Sequence, residues 1–193
     1  MNKRVKSNSV RIIAGEWRGR RLPVPDFEGL RPTINRVRET LFNWLMHECH
    51  GARALDLFAG SGALGLECLS RGAAYLDFVE SNENVASTIV DNLTMLEALD
   101  RAKVWPLCAQ QFLQHQATGE AEIYDIVFLD PPFDSGLLPA MIDLLESTHL
   151  LKSGAYIYIE YASKQRLGAV PNSWQAFRQG KAGQSQYHLY CRD

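Results

Sequence analysis

The chain has 193 residues, of which 46% are hydrophobic and 22% charged, with a formal net charge of −2. That length suits one domain with at most a small appendage, and the apolar content can fill a sizeable core. Apolar runs are short, Ile126 to Leu129 being typical, and no apolar stretch follows the charged start Met1 to Lys6, which excludes a transmembrane helix and a secretory signal and makes the cytoplasm the expected location.

The first segment is basic. Residues 1–40 hold ten Lys and Arg against four Asp and Glu, a surplus of +6, so the rest of the chain carries −8. A basic arm on an acidic body points towards a polyanion, whose counterions are released when Lys and Arg take their place. A solvated tail stays equally open for Lys3 to Lys6. In Trp17-Arg18-Gly19-Arg20-Arg21, arginine forks suit phosphate and the interleaved aromatic can stack on a base.

Val10 to Ala14 and Arg21 to Val24 read as two short strands joined through Gly15 to Gly19, a β-hairpin. After the loop Asp26 to Arg31, Thr33 can cap a helix whose apolar residues Ile34, Val37, Leu41, Trp44 and Leu45 keep a helical period. Arg36, Glu39 and Asn43 fall on its other face. Residues 1–30 are thus expected as an arm and hairpin, and 31–193 as the main domain.

From Arg53 the pattern alternates. Strands are expected near 53–58, 74–80, 103–107, 124–129 and 154–161, and helices near 62–71, 82–99, 109–116 and 137–147. Such alternation means an α/β fold with a mostly parallel sheet and helices on both faces. At the end, Trp174 to Arg178 and Gln186 to Arg192 flank Gly180-Lys181-Ala182-Gly183, a hairpin signal that closes the sheet with an antiparallel pair. Cys49, Cys68, Cys108 and Cys191 contain no Cys-x-x-Cys pair and read as reduced, mostly buried residues rather than a disulfide frame or a metal site.

Asp56-Leu57-Phe58-Ala59-Gly60-Ser61-Gly62 reads as a strand entering a glycine-rich turn and then a helix. Gly60, Gly62 and Gly65 match Gly-x-Gly-x-x-Gly, a weak signal alone because glycines after a strand often serve only the turn. Glu80 ends the next strand, 20 residues after Gly60, where a carboxylate can accept from both hydroxyls of a ribose. NAD and S-adenosylmethionine both carry that ribose. Asp56 favours the second, since an acid at the start of the loop can meet the cationic methionine end.

Asp130-Pro131-Pro132-Phe133 follows the apolar run that ends at Leu129. If the Asp130 carboxylate and the Pro131 carbonyl accept the two N–H groups of an aromatic amine, the nitrogen is drawn towards tetrahedral geometry and its lone pair is aimed at a methyl donor. The prolines fix φ and remove donors, and Phe133 can stack on the base. No metal is required.

Four segments together, Arg11 to Leu22, Leu30 to Leu45, Asp56 to Glu67 and Asp130 to Phe133, resemble the bacterial 16S rRNA guanine-N2 methyltransferase (RsmD) family over nearly the whole chain. The last two are shared by many class I methyltransferases; the N-terminal two are more specific. The resemblance implies a Rossmann-like seven-stranded sheet with an antiparallel final strand, and methyl transfer from S-adenosylmethionine to N2 of one guanine in small-subunit rRNA by a cytoplasmic monomer. It implies that Asp56, Phe58, Gly60, Ser61, Gly62, Glu80, Cys108 and Ala109 line the cofactor, and that Asp130, Pro131, Pro132 and Phe133 hold the base. Arg18, Arg20, Arg21, Arg31, Thr33, Arg36 and Arg38 would bind RNA. Cys108-Ala109 departs from the Asp or Asn that class I enzymes often place beside the adenine amine. Two alternatives are methylation of adenine N6 or cytosine N4, and an RNA-binding protein that keeps the fold without catalysis; an NAD oxidoreductase lacks a hydride-transfer set after the glycine turn.

Overall fold

Short strands rich in residues apolar on both sides build the centre of the computed structural model, which describes residues 9–24, 35–117, 123–133 and 135–193. After the hairpin strands β1 (Ser9–Arg11) and β2 (Arg21–Pro23) and helix α1 (Asn35–Trp44), the chain alternates: β3 (Arg53–Asp56), α2 (Ala63–Ser70), β4 (Tyr75–Val79), α3 (Glu83–Met95), β5 (Ala102–Trp105), α4 (Ala109–Gln116), β6 (Tyr124–Leu129), α5 (Leu138–Ser147) and β7 (Leu151–Ala162). Strands β8 (Trp174–Ala182) and β9 (Ser185–Arg192) complete it. The large sheet has the order β5-β4-β3-β6-β7-β9-β8, parallel from β5 to β7, with β9 antiparallel to both of its neighbours. No helix among the described residues is long and apolar enough to cross a membrane.

Strand β6 shows why the sheet is buried. Ile126, Val127, Phe128 and Leu129 are all fully buried, as befits a strand covered on both faces. Phe128 lies 6.0 Å from Phe42 of α1 and 6.4 Å from Tyr158 of β7, while Val127 and Leu129 join a second cluster with Phe112 of α4 and Ile142 of α5. Asn82 starts α3 by accepting from the amides of Asn84 and Val85, which satisfies donors that a helix cannot.

The chain winds outward from β3 to β4 and β5 and then returns to β6 on the other side of β3. That reversal opens a crevice beyond the carboxyl ends of β3 and β6, the place where open α/β sheets bind ligands.

The hairpin is smaller than the sequence suggests and firmly docked. Strand β1 stops at Arg11 because the Ile13 and Ala14 amides donate to the Glu67 carboxylate at 2.7 and 3.0 Å instead of continuing a ladder. Ser70 Oγ accepts from the Trp17 amide and donates to the Ala14 carbonyl. Gly15 passes so near the end of α2 that a Cβ there would lie 1.8 Å from the Ser70 oxygen. Trp17 corrects an expectation: it is 5% exposed within the main core, with Arg101 over its ring, and is unavailable to stack on a base.

Arg38 is the second correction. Rather than facing outward with Arg36, it is 1% exposed and donates to the Arg11 carbonyl, the Asn35 side chain and the Ala63 carbonyl. It joins α1, the hairpin and the start of α2, so its charge is spent inside the protein. The expected cap at Thr33, together with Ile34 and Arg31, lies outside the described residues.

Candidate active site

Two neighbouring strands carry the expected motifs to one edge of the sheet. Strand β3 ends at Asp56 and β6 at Leu129, with Asp56 in register with Phe128, so the glycine turn and the tetrapeptide emerge side by side. Gly60 and Gly62 adopt φ of 51° and 74°, a left-handed backbone that favours glycine, and Gly62 leads directly into α2. Gly65 has another reason to lack a side chain: a Cβ would come within 2.2 Å of the Phe78 ring, so this glycine lets α2 lie on β4.

Glu80, one residue past β4, holds this turn. Its Oε2 accepts from the Gly60 amide at 2.9 Å and its Oε1 from the Asn82 amide at 2.8 Å, yet the residue stays half-buried and open to a further donor.

Asp56 is the more unusual group. It is 1% exposed; Oδ2 accepts from the Gly65 amide at 3.0 Å, whereas Oδ1 is buried with no hydrogen-bond partner. Burial pushes its carboxyl up to about 7, the Glu80 charge adds to the rise, and the Gly65 and Phe58 amides oppose it. A buried carboxylate oxygen without a donor is costly, and a cationic ligand group is one partner that would relieve it. The chemistry of this turn therefore fits a ligand that carries both a ribose and an ammonium. Ser61 is largely buried and Phe58 half-buried in the same turn. Beyond β5, Cys108 is exposed at the start of α4 and Ala109 is buried beside it.

Pro131, Pro132 and Phe133 of the tetrapeptide form one wall of a cleft of about 250 Å³. Asp130 and Phe133 are half-buried, Pro131 is buried and Pro132 exposed. The Pro132 carbonyl accepts from the Ser135 amide at 3.0 Å, and the Phe133 carbonyl accepts from Gln165 Nε2, which fixes the backbone around the two prolines. Opposite them the cleft is lined by Leu138 at the start of α5 and by Glu160 and Tyr161 of β7. Sequence reasoning missed Glu160. It ends an apolar run, Ile157-Tyr158-Ile159, as Asp130 ends another, and that parallel was the available signal.

The family model described as Conserved hypothetical protein 95 matches residues 10–191. Ribosomal RNA small subunit methyltransferase D of Escherichia coli K12 is 48% identical over 187 residues, which cover 97% of this chain and 92% of that protein. The chain belongs to the RsmD family. The Haemophilus influenzae member of the same name is 44% identical over 182 residues, covering 94% of this chain and 93% of its own. A solved Escherichia coli methyltransferase structure, yhhF, superposes with a TM-score of 0.87 at 45% identity, covering 96% of this chain and 99% of that one.

In this RsmD chain the basic residues expected to face RNA divide by position. Arg18, Arg20, Arg21 and Arg36 are exposed, and Arg20 donates to the Met95 carbonyl at 3.2 Å, which ties the hairpin to the end of α3. Arg38 is internal, as described above. Arg31 and Thr33 lie outside the described residues.

Proposed function

We propose that this chain transfers a methyl group from S-adenosylmethionine to the exocyclic N2 of a guanine in 16S rRNA, acting in the cytoplasm as a monomer. The observation that carries this reading is the pairing of two ends: Asp130-Pro131-Pro132-Phe133 beyond β6 beside the turn that holds the orphaned Asp56 oxygen beyond β3. Family membership supports it, and relatives named as small-subunit rRNA methyltransferases support the RNA substrate.

When bound, S-adenosylmethionine supplies an electrophilic methyl on a sulfonium and departs as a neutral thioether. Asp56 would accept its ammonium, Glu80 its ribose hydroxyls, and the Cys108-Ala109 backbone its adenine edge, with Phe58, Gly60, Ser61 and Gly62 shaping the turn around it. Asp130 and the Pro131 carbonyl would accept the two N–H groups of guanine N2, Pro132 would hold the backbone, and Phe133 would stack on the base. Ring delocalisation makes that nitrogen a poor nucleophile, so orienting its lone pair is the main contribution of these residues. The nitrogen turns acidic as it gains the methyl and sheds a proton to Asp130 or to water. The test is methyl transfer from labelled cofactor to small subunits lacking the modification, followed by digestion to nucleosides and mass spectrometry. N2-methylguanosine is the expected product; label in N6-methyladenosine or N4-methylcytidine would discard the guanine assignment.

Two predictions concern the cofactor residues. Glu80→Ala should weaken S-adenosylmethionine binding by about 1–3 kcal/mol, since the Gly60 amide and the ribose both lose an acceptor. An unchanged calorimetric affinity would remove Glu80 from the site. The second prediction concerns pH. Without ligand, Asp56 ionises near 7, whereas an ammonium beside it favours the ionised form. Binding below that value therefore releases a proton, and cofactor affinity should rise with pH up to about 7 and level off above it. Titrations at pH 6 in two buffers of different ionisation enthalpy should show that release, and equal heats in both would refute it.

The exposed arginines lead to a third prediction. Charge removal at Arg18, Arg20 and Arg21 should raise the RNA KM and flatten its salt dependence while cofactor affinity stays the same. A salt slope that does not change would mean that these side chains meet no phosphate.

A further inference from the structure

Glu160 is a buried carboxylate, 4% exposed, that the reaction as described does not use. It stands one residue past Ile159, which is in register with Leu129, so it occupies on β7 the place that Asp130 occupies beyond β6. Alternation along each strand puts Asp130 on the face of Phe128 and Glu160 on the face of Tyr158. Those two rings meet at 6.4 Å, so the two acids share one face of the sheet.

Tyr158 registers both acids. Its hydroxyl donates to Glu160 Oε2 at 2.7 Å, and burial together with the charges of Glu160 and Asp130 raises its pKa well above the usual phenol range. Glu160 also belongs to the wall of the cleft formed by Pro131, Pro132 and Phe133.

We infer that Glu160 selects guanine by accepting the ring N1–H that lies beside the amine held by Asp130 and Pro131. The inference rests on the guanine-N2 reading and extends it from the reacting amine to the choice of base. In guanine the C2 amine lies between N3, an acceptor, and N1–H, a donor, and the donor is the feature that sets it apart. In adenine the atom next to the N6 amine, N1, is a bare acceptor, and so is N3 beside the N4 amine of cytosine. An ionised carboxylate only accepts, so it matches the first and repels the other two. Burial raises the Glu160 carboxyl above the usual carboxylate range, while hydrogen bonds from Tyr158 and Ser185 oppose that rise and fix its orientation. The opposing view is that Glu160 merely braces Tyr158 and Ser185.

The experiment uses 2-aminopurine, which keeps the C2 amine and lacks the N1 proton. It replaces the modified guanine in an RNA substrate, and wild type is compared with Glu160→Gln, which preserves shape and an acceptor for Tyr158. For wild type, kcat/KM should fall about 100-fold or more from guanine to 2-aminopurine, because a buried acceptor is left without its donor. In Glu160→Gln, kcat/KM for guanine should fall about 10- to 100-fold while that for 2-aminopurine holds or rises, so the discrimination shrinks at least tenfold. Equal losses on both substrates would establish the bracing role and overturn the inference. So would an unchanged rate on guanine. S-adenosylmethionine affinity within about twofold of wild type is the check on folding. If that check fails, Tyr158→Phe, which frees the carboxylate from its orienting hydroxyl, should narrow the same ratio, and an unchanged ratio would overturn the inference. Failure of the guanine reading is separable, because wild type would then form a methylated adenosine or cytidine and Glu160 would lose its assigned partner as well.

Discussion

Asp130→Ala is expected to lower kcat by roughly 1000-fold or more, in the range seen when one preorganised polar group at a reacting centre is removed. S-adenosylmethionine affinity should stay within a few-fold, because Asp130 emerges from β6 while the residues assigned to the cofactor emerge from β3, β4 and β5. Single-turnover methyl transfer together with calorimetric cofactor titration makes the check. Parallel loss of turnover and of binding would mean that Asp130 holds the glycine turn rather than the base. The asymmetry follows from the fold: parallel strands bring all these ends to one edge, but each loop is anchored by its own strand. A change in one loop should therefore leave its neighbours in place.

Glu67→Ala should destabilise the protein by about 3–5 kcal/mol, the range for breaking a buried charge pair by removing one partner. Glu67 is fully buried, and its carboxylate accepts from the Ile13 and Ala14 amides and from Arg71 Nε at 2.8 Å. Its charge also opposes the desolvation that lowers the pKa of the buried Arg38. Truncation leaves two backbone donors and two guanidinium groups without that carboxylate. For a chain of this size the melting temperature should drop by roughly 10 °C or more. Glu67→Gln, which keeps one acceptor, should lie between wild type and Ala. Limited proteolysis should then cut within 12–20 in the Ala variant well before the rest of the domain. Unaltered melting and cleavage would show that the hairpin is held by its apolar contacts alone.

Glu67 also explains why the hairpin and the glycine turn belong to one design. Helix α2 starts at the glycine turn, where the Gly65 amide donates to Asp56, and two residues later Glu67 grips the hairpin. At its end Ser70 takes the Trp17 amide, while Arg38 reaches from α1 to the Ala63 carbonyl at its beginning. One eight-residue helix thus fixes the position of the exposed Arg18, Arg20 and Arg21 relative to the glycine turn. Under the proposed function, RNA held by those arginines would be set in a common frame with the reacting centre.

Local signals carried most of the architecture. The change from a helical to a strand period, the apolar run ending at Leu129, the hairpin signal before Gln186 and the glycines after Asp56 each depend on neighbouring residues, so the sheet, its order of elements and the antiparallel close were legible. The turn itself falls at Gly183 and Gln184, because Gly180 to Ala182 extend β8, with Tyr187 packed on Gly180. The Asp130 to Phe133 tetrapeptide was legible for the same reason. What the pattern could not supply was the partner of any charge. Arg36 and Arg38 are two residues apart in an arginine-rich segment, yet one is exposed and the other buried against Arg11 and Ala63. Trp17 likewise belonged, by composition, to a nucleic-acid surface and lies instead in the core. Burial of a long polar side chain is decided by contacts between residues far apart in sequence, such as Glu67 with Ile13 or Arg38 with Ala63, and these exist only once the chain has folded. By itself the sequence determined the layered fold and the two candidate motifs; the tertiary structure alone decided which charges face solvent, which hold the hairpin, and that Glu160 lines the same cleft as Pro131 to Phe133, because only packing across the sheet brings these strand ends together.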